Sequence, residues 1–254
     1  MPTAKKAWGR FAATLQAPLR LPQFKTVSSK TSVIVETRAL PHLEYVLRKQ
    51  CFHLNGSWAV RVYCGTENAE YVNDIVAKMD CNIGVKVLQS SIKTLGDYNR
   101  LMLSREFWTG LETEKVLVFQ EDGFLLKDRV DEFLDYDYIG APWTEQMDLS
   151  PSEVGNGGFS LRSVDKMVRA LDEVSQEDAG KIGRPLDFHY LGGQMSEDVY
   201  FSRALSIYPD VKIPSIDVAS TFSTEWIPSE DPLGWHLWSC NYLDLNFHNG
   251  EHFD

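Results

Sequence analysis

Three short runs and one late histidine supply the side chains of this chain that could hold a cation, face a phosphate or move a proton. Gln120-Glu121-Asp122 follows the apolar run Lys115–Phe119, so its side chains emerge where a strand leaves the core. Hard divalent cations favour carboxylate oxygens, and Mg2+ or Mn2+ commonly bridges one or two carboxylates to a substrate diphosphate. Asp122 is the first candidate ligand, with an ordinary polar turn before Gly123 as the competing reading. Gly155-Asn-Gly-Gly158 matches neither the phosphate-binding GxxxxGK[ST] spacing nor GxGxxG. Its use would be steric, at Gly157 and Gly158, letting backbone approach a sugar or phosphate; a hairpin turn explains it equally well.

Glu197-Asp198 follows the candidate N-cap Ser196. Acids there commonly complement the helix dipole, whereas in a cleft one carboxylate can act as general base. His236, near Trp235 and Trp238, is either a metal ligand or a packed histidine.

The elements that must position these groups follow from periodicity. Strands are expected at 32–36, 58–63, 85–88, 115–119, 138–141 and 159–161. Helices are expected at 40–54, 68–79, 97–108 with Asp97 as cap, 165–174 and 196–204. Alternating strands and helices of this size predict an α/β fold, a mostly parallel sheet covered on both faces, with ligands at the C-terminal ends of its strands. Residues 175–193 read as a polar loop, long enough to be a lid or an acceptor-side element. The late Trp and Pro residues read as a segment folded back over the domain.

Composition sets the outer limits. The 254 residues are 43% hydrophobic and 12% aromatic, enough to build one large α/β domain. The net charge of −11 argues against broad nucleic-acid binding, which needs a basic face. Cys51, Cys64, Cys81 and Cys240 show no paired spacing, so reduced thiols are expected rather than a disulfide framework or a zinc site. No apolar run is long enough to span a membrane, and the N-terminus has no continuous apolar signal core. Residues 1–30 carry six basic side chains and no acid. Ala4, Ala7, Trp8, Phe11, Ala12 and Leu15 recur there at helical spacing, which fits a peripheral membrane helix, one packed on the domain, or a frayed end. The expected location is cytoplasmic, with membrane contact through this leader as the open alternative.

Six motifs occur in one order: Val35-Glu-Thr-Arg38, Asp97-Tyr-Asn-Arg100, Val116 to Asp122, Tyr136 to Trp143, Gly155 to Arg162 and Glu197-Asp-Val-Tyr200. Over roughly residues 31–240 the chain resembles the domain of unknown function 5672 family, glycosyltransferase-like proteins of the GT-A type. The resemblance implies a single GT-A-like domain over 31–254 with a Rossmann-like, mostly parallel sheet. Its nucleotide-binding half would span about 31–122, and an irregular acceptor-side catalytic half about 123–254. It implies transfer of a sugar from a nucleoside-diphosphate sugar to a glycan or glycoconjugate hydroxyl, inverting and dependent on Mn2+ or Mg2+. Asp122 and His236 would then hold the metal. Thr37 and Arg38 would face the base, and Asn99 and Arg100 the nucleotide or diphosphate. Gln120, Glu121, Gly157 and Gly158 would line the donor site.

Where GT-A enzymes carry a DxD motif, this chain has Gln120-Glu121-Asp122, so the first acid is an amide that brings no charge to a metal. By the same resemblance Asp198 is the base and Glu197 positions acceptor or donor sugar, with Trp143 or Trp235 as a stacking platform. The competing expectations are a retaining transferase or nucleotidyltransferase, and a catalytically silent glycan- or partner-binding module.

Overall fold

The computed structural model describes residues 21–89, 92–186 and 194–236. Its first half runs β1 (Lys30–Val35), α1 (Leu43–His53), β2 (Ala59–Gly65), α2 (Ala69–Met79), β3 (Gly84–Leu88), α3 (Leu95–Met102), α4 (Arg105–Thr109) and β4 (Lys115–Phe119). Beyond it come β5 (Phe124–Leu125), β6 (Tyr138–Gly140), β7 (Phe159–Ser163), α5 (Val164–Glu173), α6 (Gln176–Lys181), α7 (Glu197–Leu205), α8 (Ile216–Phe222), β8 (Ser223–Thr224) and β9 (Gly234–Trp235).

Six strands form the main sheet in the order β3-β2-β1-β4-β7-β6. β1 pairs in parallel with β2 and β4, β2 pairs in parallel with β3, and β7 runs antiparallel to both its neighbours. The central strands are apolar on both sides because both sides are covered. In β4, Leu117 and Phe119 join one buried cluster with α1 and α2, while Val116 and Val118 join another with α3, α4, α5 and α7. The chain thus winds from β1 to β3 over one face, crosses to the other, and enters β4 beside β1. The reversal opens a crevice where β1 and β4 end, the usual ligand position in such sheets.

Several expectations shift in detail. The helix expected over 97–108 is two helices. Thr94, not Asp97, is the first N-cap: its hydroxyl accepts from the Asp97 N–H while the Asp97 carboxylate accepts from the Thr94 N–H. Asp97 fills the third position of this capping box, and Ser104 caps the second helix. The expected loop over 175–193 begins with α6, capped by Ser175; its remainder from residue 187 to 193 lies outside the described residues. Leu21 and Phe24 are buried in the core, so packing starts before residue 31. The helical reading of the leader falls on residues 1–20, outside the described residues, as do Trp238 and Cys240. Among the described residues no helix is long and apolar enough to cross a membrane, and Cys51, Cys64 and Cys81 are buried free thiols.

A second sheet joins β5, β9 and β8 in that order. Its strands have two residues each, too short for periodicity to reveal. Its position matters because it brings the chain near residue 236 back to the end of β4. Thr94→Ala should lower the unfolding free energy by about 1 kcal/mol, the usual worth of such a cap. Urea melts of the two proteins measure this, and an unchanged midpoint would mean that the capping box contributes nothing.

Candidate active site

Parallel pairing of β1 with β4 sets Glu36-Thr37-Arg38 beside Gln120-Glu121-Asp122. Between them lies a cavity of about 270 Å3, walled on its third side by Ile92 to Leu95 and Tyr98. That is near the lower end of the range for small-ligand sites. Arg38 is clamped at its edge. Its backbone N–H and Nε both donate to Glu36 Oε1 at 2.8 Å, and Nη2 donates to Glu36 Oε2 at 2.6 Å and to Glu121 Oε1 at 3.1 Å. Both carboxylates are buried, while the Arg38 side chain is 61% exposed. The hydrogen bonds to Glu36 lead the effects that hold the guanidinium charged, and they fix its plane at the cavity edge. Thr37 donates its hydroxyl to the Ile92 carbonyl at 2.7 Å, tying the end of β1 to the opposite wall.

The two residues expected from α3 part company. Arg100 is 68% exposed, pairs with Asp97 at 2.7 Å and does not line the cavity. Asn99 is buried, and its Oδ1 accepts from the Glu197 N–H at 3.2 Å. The first N–H groups of a helix have no intrahelical partner, and the Ser196 side chain supplies none here. Asn99 therefore serves the start of α7.

At the other side of Asp122 stands His236. Its backbone N–H donates to the Thr224 carbonyl at 3.1 Å, fixing it at the end of the small sheet. Its Nε2 is 3.3 Å from Gln120 Oε1 and 3.5 Å from Asp122 Oδ1. Its Nδ1 is 3.3 Å from Glu225 Oε1, and both side chains are buried. Burial alone would lower the imidazole pKa, but Asp122 and Glu225 outweigh it and push it up to about 10. Among the described residues no three His, Cys, Asp or Glu side chains gather as a metal cluster. What the chain offers is one carboxylate, one imidazole and one amide oxygen. That set does not make a closed protein cage. It does fit a cation whose other positions belong to water and a diphosphate, since ligand atoms about 3 Å apart can share one ion.

The glycine run links this corner to Asp198. In the β4–β7 register Phe119 faces Phe159, so Gly157-Gly158 lies beside the end of β4. A side chain at Gly158 would overlap the His236 ring, and one at Gly157 would overlap the Glu197 carboxylate and crowd Asp198. The space expected to admit a sugar is filled by the protein's own side chains. The glycines let α7 and His236 close on the same strand end. Two consecutive residues thus touch Asp198 and His236 respectively.

Glu197 is held by Arg162, whose Nη1 and Nη2 donate to its two carboxylate oxygens. Arg162 also donates from Nη2 to the Gly157 carbonyl at 3.2 Å and from Nε to Ser160 Oγ at 2.9 Å. Its guanidinium is fully buried among Trp108, Tyr138 and Phe201, 5.1–5.6 Å from each ring centre. Burial would pull its pKa down, but Glu197 more than compensates and keeps it charged. Glu197 is therefore consumed by a structural pair and is not presented to a sugar. Its neighbour Asp198 is half-buried and accepts from the Gly157 N–H at 3.3 Å and the Val199 N–H at 2.8 Å. Burial first, then the nearby Glu197 charge, raises its carboxyl to about 6. Of the two proposed platforms, Trp143 is a core residue at 3% exposure, and Trp235 is half-buried in the small sheet.

Sequence reasoning gave no role to Glu36, Arg162 or Glu225. The first two had a usable signal. Glu36 immediately follows a buried strand, and Arg162 shares its strand face with Ser160 in a strand covered on both sides, where a cation needs a buried carboxylate. Glu225 had none.

The model of a family described as Protein of unknown function (DUF5672) matches residues 82–236 of this chain. The crystal structure of mouse xyloside xylosyltransferase 1, apo form, superimposes with a TM-score of 0.52 at 10% sequence identity, covering 85% of this chain and 97% of that one. No curated protein matches the sequence. The likeness shows the fold: α/β, with a mostly parallel six-stranded sheet of the glycosyltransferase type.

Glu197→Ala should cost about 3–5 kcal/mol, because it leaves Arg162 charged and buried without its partner. Arg162→Met combined with Glu197→Leu should cost less than either single change, and equal or additive losses in denaturant melts would contradict the pairing. Asp198 has its own pH signature. Its folded pKa lies above the ordinary value of 3.8, so its contribution is fully present below about 3.8 and is lost as pH rises through about 6. Asp198→Asn should therefore melt higher than wild type at pH 8 and show little gain at pH 4. Equal melting temperatures at pH 8 would show that Asp198 is not strained by its surroundings.

Proposed function

This chain belongs to the family described as Protein of unknown function (DUF5672), and from that membership and its glycosyltransferase-like fold we propose that it transfers a sugar from a nucleoside-diphosphate sugar to a glycan or glycoconjugate hydroxyl, with inversion. The observation that carries the reading is the meeting, across Gly157 and Gly158, of a carboxylate with a pKa near neutrality and an Asp122–His236 corner beside the β1–β4 crevice.

The donor's nucleoside lies along the cavity under Arg38, whose guanidinium is already oriented by Glu36 and Glu121. The diphosphate points toward Asp122 and His236. These two would hold Mn2+ or Mg2+, with Gln120 as a neutral neighbour, and such a cation supplies neutralisation of the charge that builds on the departing diphosphate. The acceptor hydroxyl attacks the anomeric carbon from the face opposite the leaving group. Its oxygen forms the new glycosidic bond as the bond to the diphosphate breaks, and its proton passes to the Asp198 carboxylate. A base with a pKa about 6 is ionised at neutral pH yet still basic enough to accept that proton. Glu197 acts at one remove: paired with Arg162, it holds the start of α7 and so fixes where Asp198 stands.

Asp198→Asn should lower turnover by about 100- to 10,000-fold, the usual worth of a positioned base, while donor binding survives. The wild-type rate should rise with pH through about 6, where Asp198 ionises. Near wild-type transfer by the Asn variant would remove Asp198 from the role of base. Binding is read separately, as thermal stabilisation by a panel of nucleoside diphosphates and nucleotide sugars with and without Mn2+. A ligand at about 100 times its Kd stabilises by roughly 2.7 kcal/mol. Selective stabilisation by one nucleotide, larger with Mn2+, is the expected result. No response to any nucleotide would leave a glycan- or partner-binding module as the better reading.

A further inference from the structure

Glu225 sits behind His236 on the small sheet, in no motif and at no position that the donor or acceptor would reach first. It is 5% exposed, its Oε1 is 3.3 Å from His236 Nδ1, and its Oε2 is buried without a hydrogen-bond partner. A buried carboxylate with unused acceptor capacity is costly, so its presence here calls for a use. The opposite ring nitrogen, Nε2, faces Asp122 and Gln120.

We infer that Glu225 is a positioning residue for the divalent cation: it holds the proton on His236 Nδ1, so that a cation entering the corner shared with Asp122 displaces the Nε2 proton and meets the lone pair there. An imidazole has two nitrogens and, when neutral, one proton, so a partner on one nitrogen decides which is free to ligate. Carboxylates behind metal-bound histidines commonly act this way, fixing ring orientation and strengthening the donor, and losing one typically weakens metal binding by 10- to 100-fold. The geometry of β8 and β9 serves the arrangement. Parallel pairing of Thr224 with Trp235, together with the His236 N–H bond to the Thr224 carbonyl, locks the residues following the two strands side by side. Gly158 removes the side chain that would otherwise occupy the imidazole's place. The inference rests on the reading of Asp122 and His236 as the cation's ligands.

The test uses Mn2+ alone, titrated into the full chain and followed by electron paramagnetic resonance, with pulsed measurements reporting nitrogen coordination. Wild type should bind Mn2+ with nitrogen modulation from one imidazole, and His236→Ala should lose that modulation. Glu225→Ala should weaken Mn2+ binding about 10- to 100-fold and diminish the modulation. Glu225→Gln, which keeps an acceptor oxygen for Nδ1–H, should recover most of both. Should the Ala variant fail to fold by circular dichroism, Glu225→Met fills similar space without an acceptor and gives the same comparison. Wild-type affinity and modulation in the acceptor-less variant would overturn the role of Glu225 while leaving the cation site standing. Mn2+ that binds wild type with no nitrogen signal, or does not bind at all, would overturn the cation reading and this inference together.

Discussion

The Arg162–Glu197 pair is the constraint on which the candidate site depends. Arg162 reaches from the interior of β7 and Glu197 opens α7, so one bidentate contact joins the sheet to the helix carrying Asp198. Burial of both charges makes the contact unforgiving, since a buried ion stays costly unless its partner is in place. The same guanidinium holds the Gly157 carbonyl, and the Gly157 N–H in turn holds Asp198. Sheet, glycine run and helix start thereby form one closed loop of hydrogen bonds, and aromatic rings on the other side of Arg162 keep water out.

Chemistry gathers at this edge because three separate directional features end there. β1 and β4 run in parallel and stop together. β7 runs the opposite way, so its beginning, and not its end, arrives at the same place. The small sheet then returns His236 and Glu225 from a distant part of the chain. Charges accumulate as a result. Glu36, Glu121, Asp122 and Glu225 lie close to the crevice, against Arg38 and the imidazole of His236. An acidic crevice of this kind suits an anionic ligand only when positive charge accompanies it.

Much of this was legible in the sequence, for reasons that differ by element. β1, β2 and β4 are apolar runs with polar or glycine punctuation, and both faces of each are buried, so their signal was strong. Gln120 to Asp122 followed from where the β4 run stops, and Glu197-Asp198 from the candidate N-cap Ser196. Asn99 and Arg100 show the limit. Neighbours on a helix point about 100° apart, and the packing of Tyr98 and Met102 turned Asn99 inward and Arg100 out. Gly157 and Gly158 were recognisable as places of close approach, but only the fold says that Glu197 and His236 do the approaching. Glu225 depends on two-residue strands, which leave no periodic trace.

The small sheet also has a bearing on how the molecule comes into being. Its middle strand is β9, the last strand among the described residues, so β5 and β8 have no partner in that sheet until residues 234 and 235 arrive. During synthesis the first four parallel strands can emerge and pair once Phe119 is made. The corner at Asp122 waits for β9, more than a hundred residues later. Loop closure over such a separation is slow compared with local pairing. A nascent chain can thus hold its central sheet for some time before residues 234–236 arrive to complete the crevice.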